Sequence, residues 1–135
     1  MKKLLALLVV AVAVFVLLQV SGRDETISGY APSGVTWSLE ALGGTAYPAR
    51  ATISFPEEGR IIGDAPCNGY SATQSAPYPW FEAGPIAATR RACPELAEEA
   101  AFFEALARVT LAEVAGEVLI LSGEDGFEMV FYARR

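Results

Sequence analysis

Residues 63–70 read Gly63-Asp-Ala-Pro-Cys-Asn-Gly-Tyr70 and hold Cys67, one of only two cysteines in the chain. The other, Cys93, lies in Thr89-Arg-Arg-Ala-Cys-Pro94. A zinc site needs about four Cys, His or carboxylate ligands, and the chain has no histidine. A catalytic cysteine needs a basic neighbour to hold its thiolate, and here only Arg90 or Arg91 could supply the charge. An even cysteine count in an exported domain points instead to oxidation. The reading is a Cys67–Cys93 disulfide closing a loop of about 27 residues, worth ~3.5 kcal/mol in the chain-entropy model.

The export signal is at the front. Met1-Lys2-Lys3 is a short positive region, and an apolar run follows from Leu4 to Leu18. Residues 1–22 therefore read as a signal peptide cleaved after Gly22, with an uncleaved membrane anchor as the alternative. No cysteine follows the run, so lipidation is not expected. Lys2 and Lys3 are the only lysines, so removing them from the ten basic residues leaves eight arginines against sixteen acids, a net charge of −8. A domain that acidic repels phosphate backbones, which argues against nucleic-acid binding. It repels anionic lipid faces too, leaving residues 1–22 as the only expected membrane contact.

Residues 23–34 have no periodicity and read as a polar linker. The domain is expected over residues 35–135. Trp37, Leu39 and Ala41 alternate with polar residues, the pattern of a half-buried strand. Residues 51–55 and 60–63 predict a hairpin turned by Gly59, and Asn68-Gly69 is a good turn dipeptide. Residues 71–79 predict short strands with irregular joins. Pro94 suits a first helical position. Glu95, Glu98 and Glu99 then complement the positive end of a helix to about Val109, and Arg108 its negative end. Residues 111–121 predict a second hairpin, and Ser122–Gly126 turns the chain into a last strand. Strands, one helix and strands again make an α+β pattern dominated by antiparallel sheet.

Glu99 is the oddity of that helix. At 100° per residue it falls within the apolar arc of Phe102, Phe103, Leu106 and Val109. It reads as a structural acceptor for backbone amides or for an arginine of residues 89–91, because burial without a partner is costly. The competing reading is a perturbed acid working with Arg90 in a pocket. There is no nucleophile elbow, no triad without histidine and no glycine-rich phosphate loop. Glu124-Asp125-Gly126 lacks the spaced ligands of a calcium loop. Tyr78, Trp80 and Phe81 read as core edge, or alternatively as the lining of a ligand groove.

Together these motifs resemble the META domain, the HslJ-like family of small bacterial envelope proteins. The resemblance runs from Trp37-x-Leu39 through Gly63, Cys67-Asn68, Thr89-Arg90 and Ala92-Cys93. It continues through Glu99-x-x-Phe102-x-x-x-Leu106-x-x-Val109 and Leu119-x-Leu121 to Gly126 and Phe131. Pro66 stands where that family usually has glycine, and Ala72 and Gln74 where a glycine and an aromatic are usual. The resemblance implies a compact, mostly antiparallel curved sheet with one main helix, and a structural part for Glu99. The family is associated with envelope stress and antibiotic tolerance and has no agreed catalytic site.

The expectation is a non-enzymatic, periplasmic or otherwise extracytoplasmic binding or stabilising module, without metal or cofactor. Its partner would be an envelope protein, a lipid or a hydrophobic small molecule. The candidate ligand or partner site is Asn68, Tyr70, Trp80 and Arg90, beside Cys67. The alternative is an enzyme using Glu99 and Arg90.

Overall fold

The computed structural model describes residues 1–134, without the side chains of residues 18–21. Helix α1 (Lys2–Ser21) comes first. Its described leucines are exposed, Leu4 by 70% and Leu8 by 57%. Among the described residues no helix is long and apolar enough to cross a membrane.

Residues 23–34, expected as a linker, pack on the domain. A 3-10 turn at Ile27–Gly29 buries Ile27 to 1% exposure. The Asp24 carboxylate accepts bonds from the Thr26 amide and hydroxyl and from the Ser28 hydroxyl. Such short-range bonding holds a turn without any periodic signal. The Glu25 carbonyl accepts the Tyr78 N–H at 2.8 Å, and Tyr30 stacks on Tyr78 at 4.6 Å.

The domain proper begins with β1 (Thr36–Leu42), β2 (Thr45–Ala46) and β3 (Thr52–Ile53). Next come β4 (Gly59–Asp64), β5 (Gly69–Gln74) and β6 (Ala87–Ala88). Helix α2 (Leu96–Arg108) precedes β7 (Leu111–Ala115), β8 (Val118–Ser122) and β9 (Glu128–Arg134). The larger sheet runs β2-β1-β9-β8-β7, with β3 also paired to β1. Alternation sends Trp37, Leu39, Leu119, Leu121, Met129 and Phe131 to one side, where all are buried. The smaller sheet runs β4-β5-β6. All pairings are antiparallel.

The two sheets are stitched into nearly a full circuit. Ser54 pairs with Ile62 on one side. On the other, Gly84 donates to Thr73, Phe81 to Thr110, and Ala112 to Pro79. Residues 79–81 thus cover the edge of β7, which would otherwise be open to pairing.

Several boundaries differ from the sequence reading. The expected hairpin of 51–55 with 60–63 is divided, because β3 is laddered to β1 and meets β4 only through the Ser54–Ile62 bridge and the Asp64 N–H on the Thr52 hydroxyl. Gly59 does supply the positive φ, at 79°. Residues 69–74 form one continuous strand rather than irregular pieces. Gly69 has no positive φ; the turn is residues 65–68, closed by the Ala65 N–H on the Asn68 carbonyl at 2.8 Å. Pro94 lies in a turn made by the Leu96 N–H on Cys93, ahead of regular helix. The hairpin of β7 and β8 stands where expected, turned by Gly116 at φ 60°.

Helix α2 lays Phe102, Ala105 and Leu106 into the core. Tyr70 meets Phe102 and Phe103 edge-on at 5.5 and 5.4 Å. Fully burying a phenylalanine such as Phe102 contributes roughly 2–3 kcal/mol. The helix is thereby fixed over β5 and over the turn that carries Cys67 and Asn68.

Candidate functional site

The site is built where three chain segments meet: the 65–68 turn, the extended run after β6, and the first turns of α2. Cys67 and Cys93 form a disulfide, with 5.5 Å between their α-carbons. This fastens the turn to the start of the helix.

Asn68 lies beside it, 5% exposed. Its Oδ1 accepts the Arg91 N–H at 2.6 Å and the Thr89 hydroxyl at 2.9 Å. Its Nδ2 donates to the Arg91 carbonyl at 3.0 Å and to Glu99 Oε2 at 2.7 Å. Both amide hydrogens and the amide oxygen are thus committed. Because it grips both backbone groups of Arg91, Asn68 substitutes for a neighbouring strand there.

Glu99, also 5% exposed, accepts the N–H groups of Cys67 and Asn68 on Oε1 at 3.1 and 2.9 Å. A carboxylate that receives three N–H donors is satisfied in burial, which explains an acid on an apolar helix face. It takes backbone amides, as the structural reading expected. Among the described residues it makes no ion pair with an arginine.

The sequence candidates do not form one cluster. Asn68 and Arg90 meet in a depression of about 330 Å³, lined also by Thr89, Arg91, Ala92, Leu96 and Glu99. Tyr70 is placed elsewhere: it is 5% exposed, and its hydroxyl donates to the Thr52 carbonyl at 2.7 Å. Burial pushes its phenol far above the ordinary tyrosine range. Tyr70 is a core residue, because its ring is needed under α2. Trp80 is 59% exposed and pairs with Leu111 beside the larger sheet. Its neighbour Phe81 is 1% exposed, so this aromatic run alternates between core and outer face and lines no single groove.

Two contributors escaped the sequence reading. Arg91 enters through its backbone, which no side-chain pattern reveals. Gln74, 1% exposed, accepts the N–H groups of Ala76 and Glu82 and donates to the Ala76 carbonyl. It organises the loop containing the cis Tyr78–Pro79 bond. A glutamine in an otherwise alternating strand was the available signal.

No group of three or more metal-type ligands occurs among the described residues. Beyond the helix, Asp125 pairs with Arg108, whose guanidinium lies 4.3 Å from the centre of the Phe127 ring. Glu124–Gly126 is therefore a turn next to the helix end.

With this geometry in view, the family model for the META domain matches residues 31–135. The chain belongs to the META domain family. Its fold is similar to the NMR structure of a protein from Burkholderia xenovorans, with a TM-score of 0.60, 21% identity and 83% of each chain covered. A second NMR structure, titled only as a protein, gives a TM-score of 0.56 at 23% identity, covering 73% of this chain and 87% of its own. These likenesses speak for the META fold alone. A search of curated proteins finds no match.

Proposed function

We propose that this META domain is a non-catalytic binding or stabilising module of the cell envelope. It works in an extracytoplasmic compartment linked to envelope stress or antibiotic tolerance, and residues 1–22 direct its export. The observation that carries this reading is how the polar groups beside the disulfide are used. Asn68 and Glu99 are spent on each other and on backbone groups. Such a constellation holds a surface in shape and leaves no acid–base pair free for a substrate. What faces outward beside it is a set of contact residues: Arg90, Arg91 and Leu96, the last 49% exposed. A Cys67–Cys93 staple suits an oxidising compartment.

The partner is an envelope protein, a lipid or a hydrophobic small molecule, and the test is cross-linking in intact cells followed by capture of the oxidised chain. A Cys67→Ala/Cys93→Ala chain serves as the control. One dominant partner lost in the control supports a binding module. An empty capture from every envelope fraction, with turnover found in a metabolite screen, would overturn it.

A further inference from the structure

The run Ile86–Ala92 has a feature that the staple and the core do not require. Strand β6 ends the smaller sheet, and among the described residues no further strand lies on its far side. Residues 87–92, apart from their backbone bonds, are exposed throughout. The inward direction is fixed at two points. The Thr89 N–H donates to Gly69 at 3.2 Å, and the Arg91 N–H donates to Asn68 at 2.6 Å. Backbone groups alternate along an extended chain, so those of Ala88 and Arg90 point away from β5. Asn68 thus prolongs a two-residue strand into an extended edge reaching Arg91.

The charge along this edge is opposite in sign to that of the domain as a whole. The exported part carries sixteen acids and eight arginines, yet Arg90 and Arg91 stand together without a carboxylate partner among the described residues. Leu96 and the depression of about 330 Å³ lie next to them. An open edge offers main-chain bonds, and unpaired arginines select negative charge.

We propose that residues 87–91 are a strand-addition site for an extended acidic peptide segment of a partner protein. The peptide's backbone would pair with the outward groups of Ala88 and Arg90, its carboxylates would meet Arg90 and Arg91, and an apolar side chain would rest on Leu96. A second copy of this chain fits poorly, because it would bring two Arg90–Arg91 pairs together and residues 87–91 supply no acid to meet them. This inference rests on the binding function proposed above and names its partner chemistry.

The test uses the oxidised protein as isolated from its cells and a short synthetic peptide with two adjacent acidic residues flanked by valines, so that carboxylates lie on both faces of the extended chain. Amide-resolved NMR reads the Ala88 and Arg90 N–H groups. The expected result is a saturable shift at both, with slowed hydrogen exchange. Methylating alternate peptide nitrogens should abolish it, since charge is kept and pairing is lost. Arg90→Glu/Arg91→Glu should weaken binding by about tenfold or more, with the remaining spectrum unchanged to show that the fold persists. Equal binding of the methylated peptide overturns strand addition. So does the absence of any shift. If the acidic peptide fails while cross-linking still captures a partner, the binding function survives and this inference falls. If both fail, both fall.

Discussion

Glu99 and Asn68 are bonded twice, the Asn68 N–H to Oε1 at 2.9 Å and Nδ2 to Oε2 at 2.7 Å. The pair joins helix α2 to a turn 31 residues earlier in the chain. Removing one partner strands the other in a buried place. Glu99→Gln turns a charged acceptor into an amide with one oxygen, and should cost about 1–3 kcal/mol. Asn68→Ala should cost at least as much, because both backbone groups of Arg91 lose their partner as well. Urea denaturation measures both. An undiminished midpoint for Glu99→Gln, combined with loss of an activity, would favour the acid–base reading.

The disulfide and the Asn68–Glu99 pair restrain the same turn. Replacing Cys67 and Cys93 by serine opens a loop with a separation of 26 residues, which costs about 3.5 kcal/mol in the chain-entropy model. Neighbouring restraints are not additive. Once the disulfide is gone, the turn is tied to α2 only through Glu99, with Asn68 holding the 89–91 run, so Glu99→Gln should cost more in the serine background than in the oxidised chain. A double-mutant cycle reads the difference, and strict additivity would show that the two restraints act apart.

Much of this architecture was legible because it depends on short-range periodicity. Trp37 and Leu39 in β1, the β7–β8 hairpin and the apolar arc of α2 all follow from spacing. Glu99 was legible as an anomaly on that arc, since a buried carboxylate must find donors. Its donors were not legible, because they are amides of Cys67 and Asn68 brought near by topology. For the same reason Tyr70 looked like a site residue: its polar tip gave no hint that the partner is the Thr52 carbonyl. The division of residues 51–63 between two sheets escaped notice because a local turn signal at Gly59 says nothing of which sheet each arm joins.

Gly63 faces Tyr70 across the β4–β5 pair. A β-carbon there would fall 2.2 Å from the Thr52 carbonyl oxygen and 2.7 Å from the Tyr70 hydroxyl oxygen. Gly63→Ala should therefore destabilise the fold by about 3 kcal/mol through overpacking. Adding Tyr70→Phe removes one clash and leaves the backbone carbonyl in place, so it should not rescue. Thermal unfolding of the single and double variants checks this. Restoration by Tyr70→Phe would mean that β4 can move away from β3.

Two tyrosines are expected to couple stability to alkaline pH. Burial, followed by the nearby Glu98 and Glu99 charges, pushes the Tyr47 phenol up to about 12, and burial raises Tyr70 further. The folded chain thus holds these protons more tightly than the unfolded chain, which releases them near 10. Their contribution is complete below about pH 10 and is lost as pH rises, through about pH 12 for Tyr47. Tyr47→Phe and Tyr70→Phe should each flatten the fall in urea midpoint between about pH 9 and about pH 11. A slope unchanged by either would place the alkaline transition on other groups.

The last prediction concerns the segment before the first strand. Ile27 is 1% exposed, and Tyr30 stacks on Tyr78. The Tyr78 hydroxyl in turn accepts the Val114 N–H at 3.0 Å, linking this segment to the edge of β7. A chain beginning at Arg23 keeps all three contacts, whereas one beginning at Pro32 loses the first two. The shorter chain should be less stable by about 2–4 kcal/mol, the range for emptying a fully buried aliphatic site. It should also exchange the Val114 amide faster, because Tyr78 has lost its stacking partner. Ile27→Ala in the longer chain separates the two effects: stability falls and the Val114 amide stays protected. Equal midpoints for the two chains would show that residues 23–31 only rest on the domain.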